Sequence, residues 1–212
     1  MITIKEITAL VFALIFLAFS YSFFNPSLFG KGILFFIIIL LFYTGGKKIA
    51  AYYLDSEEET KIWTFQRYGL YERSYFKYPI PIGLLLSFFI PLITAGMQLG
   101  FHLPWFAVTE SDVKSTPARA VKRHQIYSFS EMTELHIGFI SAVGIFSCFI
   151  LSLIAYLINF PDLARLSIYF ASFNLLPLGK LDGTRIFFGH RVLYAILVAI
   201  AIVALGYAFL LP

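Results

Sequence analysis

The chain has 212 residues, of which 59% are hydrophobic, 19% aromatic and only 13% charged, with a net charge of +4. A soluble domain carries about 25% charged residues, so a mean hydropathy of +0.83 excludes an ordinary soluble protein and leaves little length outside membrane segments. The basic residues are spread over short loops, which suits anionic lipid head groups and argues against a nucleic-acid partner, which needs a concentrated basic surface.

A membrane-spanning helix takes about 20 apolar residues, and the first predicted one runs from Thr3 to Phe24, stopped by Asn25-Pro26. It reads as a retained helix. A signal peptide has a core of only ~7–15 residues and a small-residue cleavage site, and Ser20-Tyr21-Ser22-Phe23 is a poor one. The second span starts near Gly32 and passes Gly45-Gly46 and Lys47-Lys48 to Leu54. Asp55 to Lys77 is a polar connector with an acidic cluster, Glu57-Glu58-Glu59. Its later half (Trp63, Phe65, Tyr68, Tyr71, Tyr75, Phe76) reads as an interfacial strand or amphipathic segment, because Trp and Tyr favour the head-group level. The third span is Tyr78 to Gly100, where Pro79, Pro81 and Pro91 predict a late start and a kink.

His102 to Val108 reads as a short strand or re-entrant piece, and Glu110 to Arg123 as an aqueous loop. The fourth span, Ile137 to Ile158, opens with Gly138, Ser141, Ala142 and Gly144, small residues that allow close helix packing. The fifth is Leu163 to Leu178 and the sixth Val192 to Leu211. The expected fold is an all-α polytopic membrane protein with about six transmembrane helices and a short β or re-entrant segment. It would be a single membrane domain over 1–212, with an N-terminal helix in 1–31, a core in 32–189 and a C-terminal helix in 190–212. The expected setting is multi-pass in a lipid bilayer, in a prokaryotic cell membrane. Loop charges are too evenly divided to orient it.

Few residues in such a chain carry chemistry. The lone cysteine, Cys148, lies deep in an apolar run, so no intramolecular disulfide or cysteine metal cluster forms, and it reads as a small buried side chain. The four histidines, His102, His124, His136 and His190, are dispersed. Glu131, Glu134 and His136 read as an interfacial charge cluster, and His190 marks the head of the last helix. Asp182 stands out. It follows Pro177 and Gly179 and precedes Gly183, at a break beside an apolar segment. An acid there is costly and is a functional candidate by default, as a metal ligand or ion site. The alternative is that Asp182 caps the helix beginning Thr184-Arg185-Ile186.

The run Asn174-Leu175-Leu176-Pro177-Leu178-Gly179-Lys180-Leu181-Asp182-Gly183 resembles the second metal-site motif of the site-2 proteases, zinc enzymes that cut peptides inside membranes. The resemblance makes Asp182 the third zinc ligand, presented by a loop that Asn174 and Pro177 shape, with Leu181 and Gly183 completing the motif. Other parts are similar in the same order, from about Leu41 to Gly189. They are Tyr68-Gly69, Tyr75 to Pro79 with Gly83 to Leu86, Pro104 to Val108, and Ile140 to Gly144. The family's usual Ala-Gly-Pro reads Val143-Gly144-Ile145 here, and its later asparagine falls on Cys148.

The family's zinc helix carries His-Glu-x-x-His, two imidazoles four residues apart with glutamate as the base. This chain has none. The equivalent segment is Tyr43-Thr44-Gly45-Gly46-Lys47, with Tyr43 and Lys47 in the histidine positions and Thr44 in that of the glutamate. Neutral tyrosine is a poor zinc ligand and protonated lysine repels the metal. A Lys47–Asp182 pair would instead offset the cost of two buried charges. The alternative is that Lys47 and Lys48 extend to the head groups.

The resemblance therefore implies a site-2 protease-like core without zinc or peptidase activity. Such a protein would act by binding a transmembrane partner or substrate, with no cofactor. An active intramembrane metalloprotease with zinc on atypical ligands is one alternative. A small transporter or channel using Asp182 and Lys47 as ion-path residues is the other.

Overall fold

A computed structural model of the chain describes residues 3–23, 25–67, 75–97, 104–116 and 132–210. Helix α1 (Ile4–Ser22) starts at Thr3, whose hydroxyl accepts from the Glu6 amide at 3.2 Å, a regular N-cap. Asn25-Pro26 ends the first span, as the sequence suggests, in a 3-10 turn at Pro26–Leu28. Helix α2 (Phe29–Tyr53) follows. It returns antiparallel to α1, because Gly32 near its start lies against Tyr21 and Ala18 near the end of α1. The chain then leaves the helices through Asp55, at φ 49°, and enters strand β1 (Ser56–Ile62).

Strand β1 pairs antiparallel with β4 (Thr109–Ser115), from Ser56 opposite Ser115 to Ile62 opposite Thr109. A second ribbon pairs β2 (Phe65–Arg67) with β3 (Tyr75–Ile80). Pro81 then opens α3 (Ile82–Gly96), with Pro91 inside it. Helix α4 (Glu134–Leu157) is the central helix, packing against α2, α5 (Pro161–Asn174) and α6 (Asp182–Gly189). Helix α7 (Arg191–Leu210) lies against α5 and α6.

Among the described residues, four helices are long and apolar enough to cross a membrane: α1, α2 with its 3-10 turn, α4 and α7. The molecule is thus a helical membrane protein with a small β part. Their outward faces carry exposed Val11, Phe12, Ile37, Leu41, Leu153 and Val203, the composition expected where lipid replaces water.

The remaining two of the six expected spans are shorter helices. Tyr78 to Ile80 belong to β3, so α3 keeps 15 residues. The expected Leu163–Leu178 span is the 14-residue α5. At 1.5 Å per residue these reach roughly 21–23 Å, short of the ~30 Å hydrocarbon core.

Three further expectations change. The "aqueous loop" from Glu110 is a strand as far as Ser115, with Glu110 and Ser111 buried, while 117–131 lies outside the described residues. Pro104 to Val108 forms no regular strand, although Phe106, Ala107 and Val108 are fully buried. Trp63 is no head-group anchor: it is buried with Ala107 and Leu181. Tyr68, Tyr71, His102, His124 and Glu131 lie outside the described residues.

Candidate functional site

Asp182 is the first residue of α6, and it is completely buried. Its carboxylate does not cap that helix; no side-chain cap is made at Leu181. Every partner comes from another element. The Lys47 ammonium lies 2.5 Å from Oδ2, and the Tyr43 hydroxyl donates to the same oxygen at 2.5 Å. Ser141 of α4 donates to Oδ1 at 3.1 Å, and Ser111 of β4 lies 3.4 Å from it. Three elements, α2, α4 and β4, thus converge on one carboxylate, and the α6 N-terminus adds a favourable dipole.

The periodicity of α2 makes this possible. Tyr43 and Lys47 are four residues apart, so they share a face, and both point inward. Lys47 is fully buried and does not extend to the head groups. Its ammonium sits 3.7 Å from the centre of the Tyr43 ring, a cation–π contact, and donates to the Ser111 hydroxyl at 2.6 Å. Glycine provides the room. A Cβ on Gly144 would come within 2.7 Å of Lys47 Cε and Cγ, and one on Gly183 within 2.0 Å of the Leu175 carbonyl oxygen. The small residues at the start of α4 therefore pass the lysine stem as well as packing helices.

Thr44 has no role at the carboxylate: its hydroxyl donates to the Leu40 carbonyl at 2.7 Å. Asn174 is buried and donates to the Phe170 carbonyl at 2.9 Å and the Phe106 carbonyl at 3.5 Å, leaving its Oδ1 without a hydrogen-bond partner. It ties α5 to the 104–108 segment. Pro177 is exposed in the turn between α5 and α6, while Leu181 is fully buried beside Trp63. The other titratable candidates stay apart from the site. His190 accepts from the Leu193 amide at 3.1 Å and so heads α7. His136 contacts Thr133. Cys148 is buried and free.

The zinc site of the family that the sequence resembles does not fit these residues. Among the described residues no group of three or more His, Cys, Asp or Glu side chains is arranged to hold a metal ion, and Asp182 already holds a cation in Lys47. An ammonium and hydroxyls offer no soft or anionic donor set for zinc.

Sequence reasoning missed Ser111 and undervalued Ser141. It also missed a second charged cluster beside the first. Glu6 of α1, 1% exposed, meets Lys48 at 2.7 Å and accepts from the Thr60 amide at 3.3 Å. Lys48 also donates to the Glu58 carbonyl at 3.0 Å. The available signal was an acid in the first turn of an apolar membrane helix, which demands a partner.

No family model, curated protein or solved structure matches the chain.

Proposed function

We propose that this membrane protein has a site-2 protease-like core, whose metal position is taken by a lysine, and that it works by binding a transmembrane partner without cutting peptides. One observation carries the reading: Tyr43 and Lys47, at i and i+4 on α2, both bond Asp182. These are the positions where the resemblance places the two histidines, facing the residue it makes the third ligand. The positions support the scaffold, and the side chains found there support the loss of the metal. The missing base supports the loss of peptidase chemistry, since Thr44 is engaged with its own helix. A groove of about 760 Å³ between α4 and α7, lined by Phe146, Ile150, Leu153, Ile200 and Val203, supports an apolar partner.

Metal analysis of the purified protein tests this. The wild type is expected to hold no stoichiometric zinc, and a variant with Tyr43→His and Lys47→His to gain it. Stoichiometric zinc in the wild type that disappears with Asp182→Ala overturns the reading. Failure of the double-histidine variant to bind zinc, while folded, removes the support for the scaffold.

A further inference from the structure

Two charged clusters lie side by side where α1 begins and α2 approaches its end. Together they contain three carboxyls (Glu6, Glu58, Asp182) and two ammoniums (Lys47, Lys48). Asp182 is matched by Lys47, and Glu6 by Lys48. Glu58 is left over. It is 5% exposed, and its Oε1 accepts from the Thr60 hydroxyl at 2.9 Å. Its Oε2 has no hydrogen-bond partner, and the nearest cation, Lys48, stands 3.8 Å away, already engaged by Glu6. An uncompensated buried carboxylate is far costlier than a neutral acid.

We propose that Glu58 is a proton-binding site: a carboxylic acid, neutral at neutral pH, that supplies the missing positive charge of the buried network. Its access to water is a cavity of about 330 Å³ lined by Lys48, Tyr52, Asp55, Glu57, Glu58 and Thr116. The groups around it are defined. Lys47 and Lys48 come from α2, Glu6 from α1 and Asp182 from α6. Half-buried Val113 is opposite on β4, with buried Ser111 and exposed Ser115 following on the same side of the strand. Glu57 follows the other face of β1, opposite Lys114.

Burial pushes the Glu58 carboxyl above the ordinary glutamate range. Lys47, the Thr60 hydroxyl and Lys48 oppose this in that order, and Asp182 adds to it. An acid raised on folding leaves the native state with more protons than the unfolded chain. Stability therefore falls as pH rises from the ordinary value through the raised one. This proposal is independent of the site-2 protease reading, because it rests on charge balance alone.

The test compares the wild type, Glu58→Gln and Glu6→Gln as full-length proteins in detergent micelles, by infrared spectroscopy and by unfolding across pH. A glutamine amide mimics a neutral acid and cannot mimic a paired carboxylate. The expected result is a protonated-carboxyl band at neutral pH in the wild type that is lost in Glu58→Gln. That variant is expected to keep the wild-type unfolding midpoint and lose the fall with pH, by up to one proton, whereas Glu6→Gln lowers the midpoint. The proposal is overturned if Glu58→Gln fails to fold or loses as much as Glu6→Gln. It is equally overturned if the band is absent at neutral pH. A midpoint that instead depends on sodium or potassium at fixed ionic strength would assign the missing charge to a metal cation and also overturn it.

Discussion

Two lysine–aspartate pairs in this protein have the same nitrogen–oxygen distance, 2.5 Å: Lys47 with Asp182 and Lys61 with Asp112. The side chains of the first pair are 0% exposed, and those of the second 42% and 41%. Distance does not separate them; solvent does. At Lys61 and Asp112 water screens the attraction and would solvate either charge alone, so such pairs contribute only about 0–1 kcal/mol. At Lys47 and Asp182 neither charge has water to fall back on. A buried pair adds little net stability relative to an apolar replacement, yet removing one partner strands the other. The same two residue types thus decorate a strand in one place and define how a membrane core is assembled in the other.

The largest expected effect comes from stranding a charge. Lys47→Met or Asp182→Asn should cost about 3–5 kcal/mol, measured as unfolding in detergent micelles. A loss below about 1 kcal/mol would make the buried pair behave like an exposed one. Tyr43→Phe removes one charge-assisted hydrogen bond while leaving Lys47 and Ser141 on the carboxylate. A loss of about 1.5–3 kcal/mol is expected by the same assay. A neutral outcome would mean that Lys47 alone suffices.

The smallest effect is at the exposed pair. Lys61→Ala should cost at most about 1 kcal/mol, and raising the salt concentration should erase the difference. Asp112 is held below the ordinary aspartate range, first by its hydrogen bond from Lys61. Its contribution is therefore present above the ordinary value and lost as pH falls through the lowered one. A salt-insensitive loss would show that water does not screen the strand pair.

The same contrast explains what the sequence made legible. Long apolar runs reveal α1, α2, α4 and α7 directly, because a membrane span needs only length and hydropathy. Asp182 and Lys47 were visible as charges where charge is costly. Strand β1 was not. Its buried face is Ser56, Glu58 and Thr60 and its open face Glu57, Glu59 and Lys61. Apolar–polar alternation, the usual sign of a half-buried strand, is absent when both faces are polar. Ser111 was hidden for the same reason, in a run Thr109-Glu110-Ser111-Asp112 that reads as a solvated loop. Helix α5 shows the opposite case. Protein surrounds it, with Leu163, Leu166, Phe170 and Ala171 all buried, which is a cause of apolar composition other than contact with lipid. Composition alone does not separate those two causes.

The most direct test of the central claim, that Lys47 is the counter-ion of Asp182, is a double-mutant cycle in micelles. It uses Lys47→Met, Asp182→Asn and the two combined. If the pair is the unit, the double variant should be more stable than the two single losses added together predict. The coupling energy should lie between about 0.5 and 3 kcal/mol. Single losses that add to within about 0.3–0.5 kcal/mol would contradict it, and Asp182 would then need another cation.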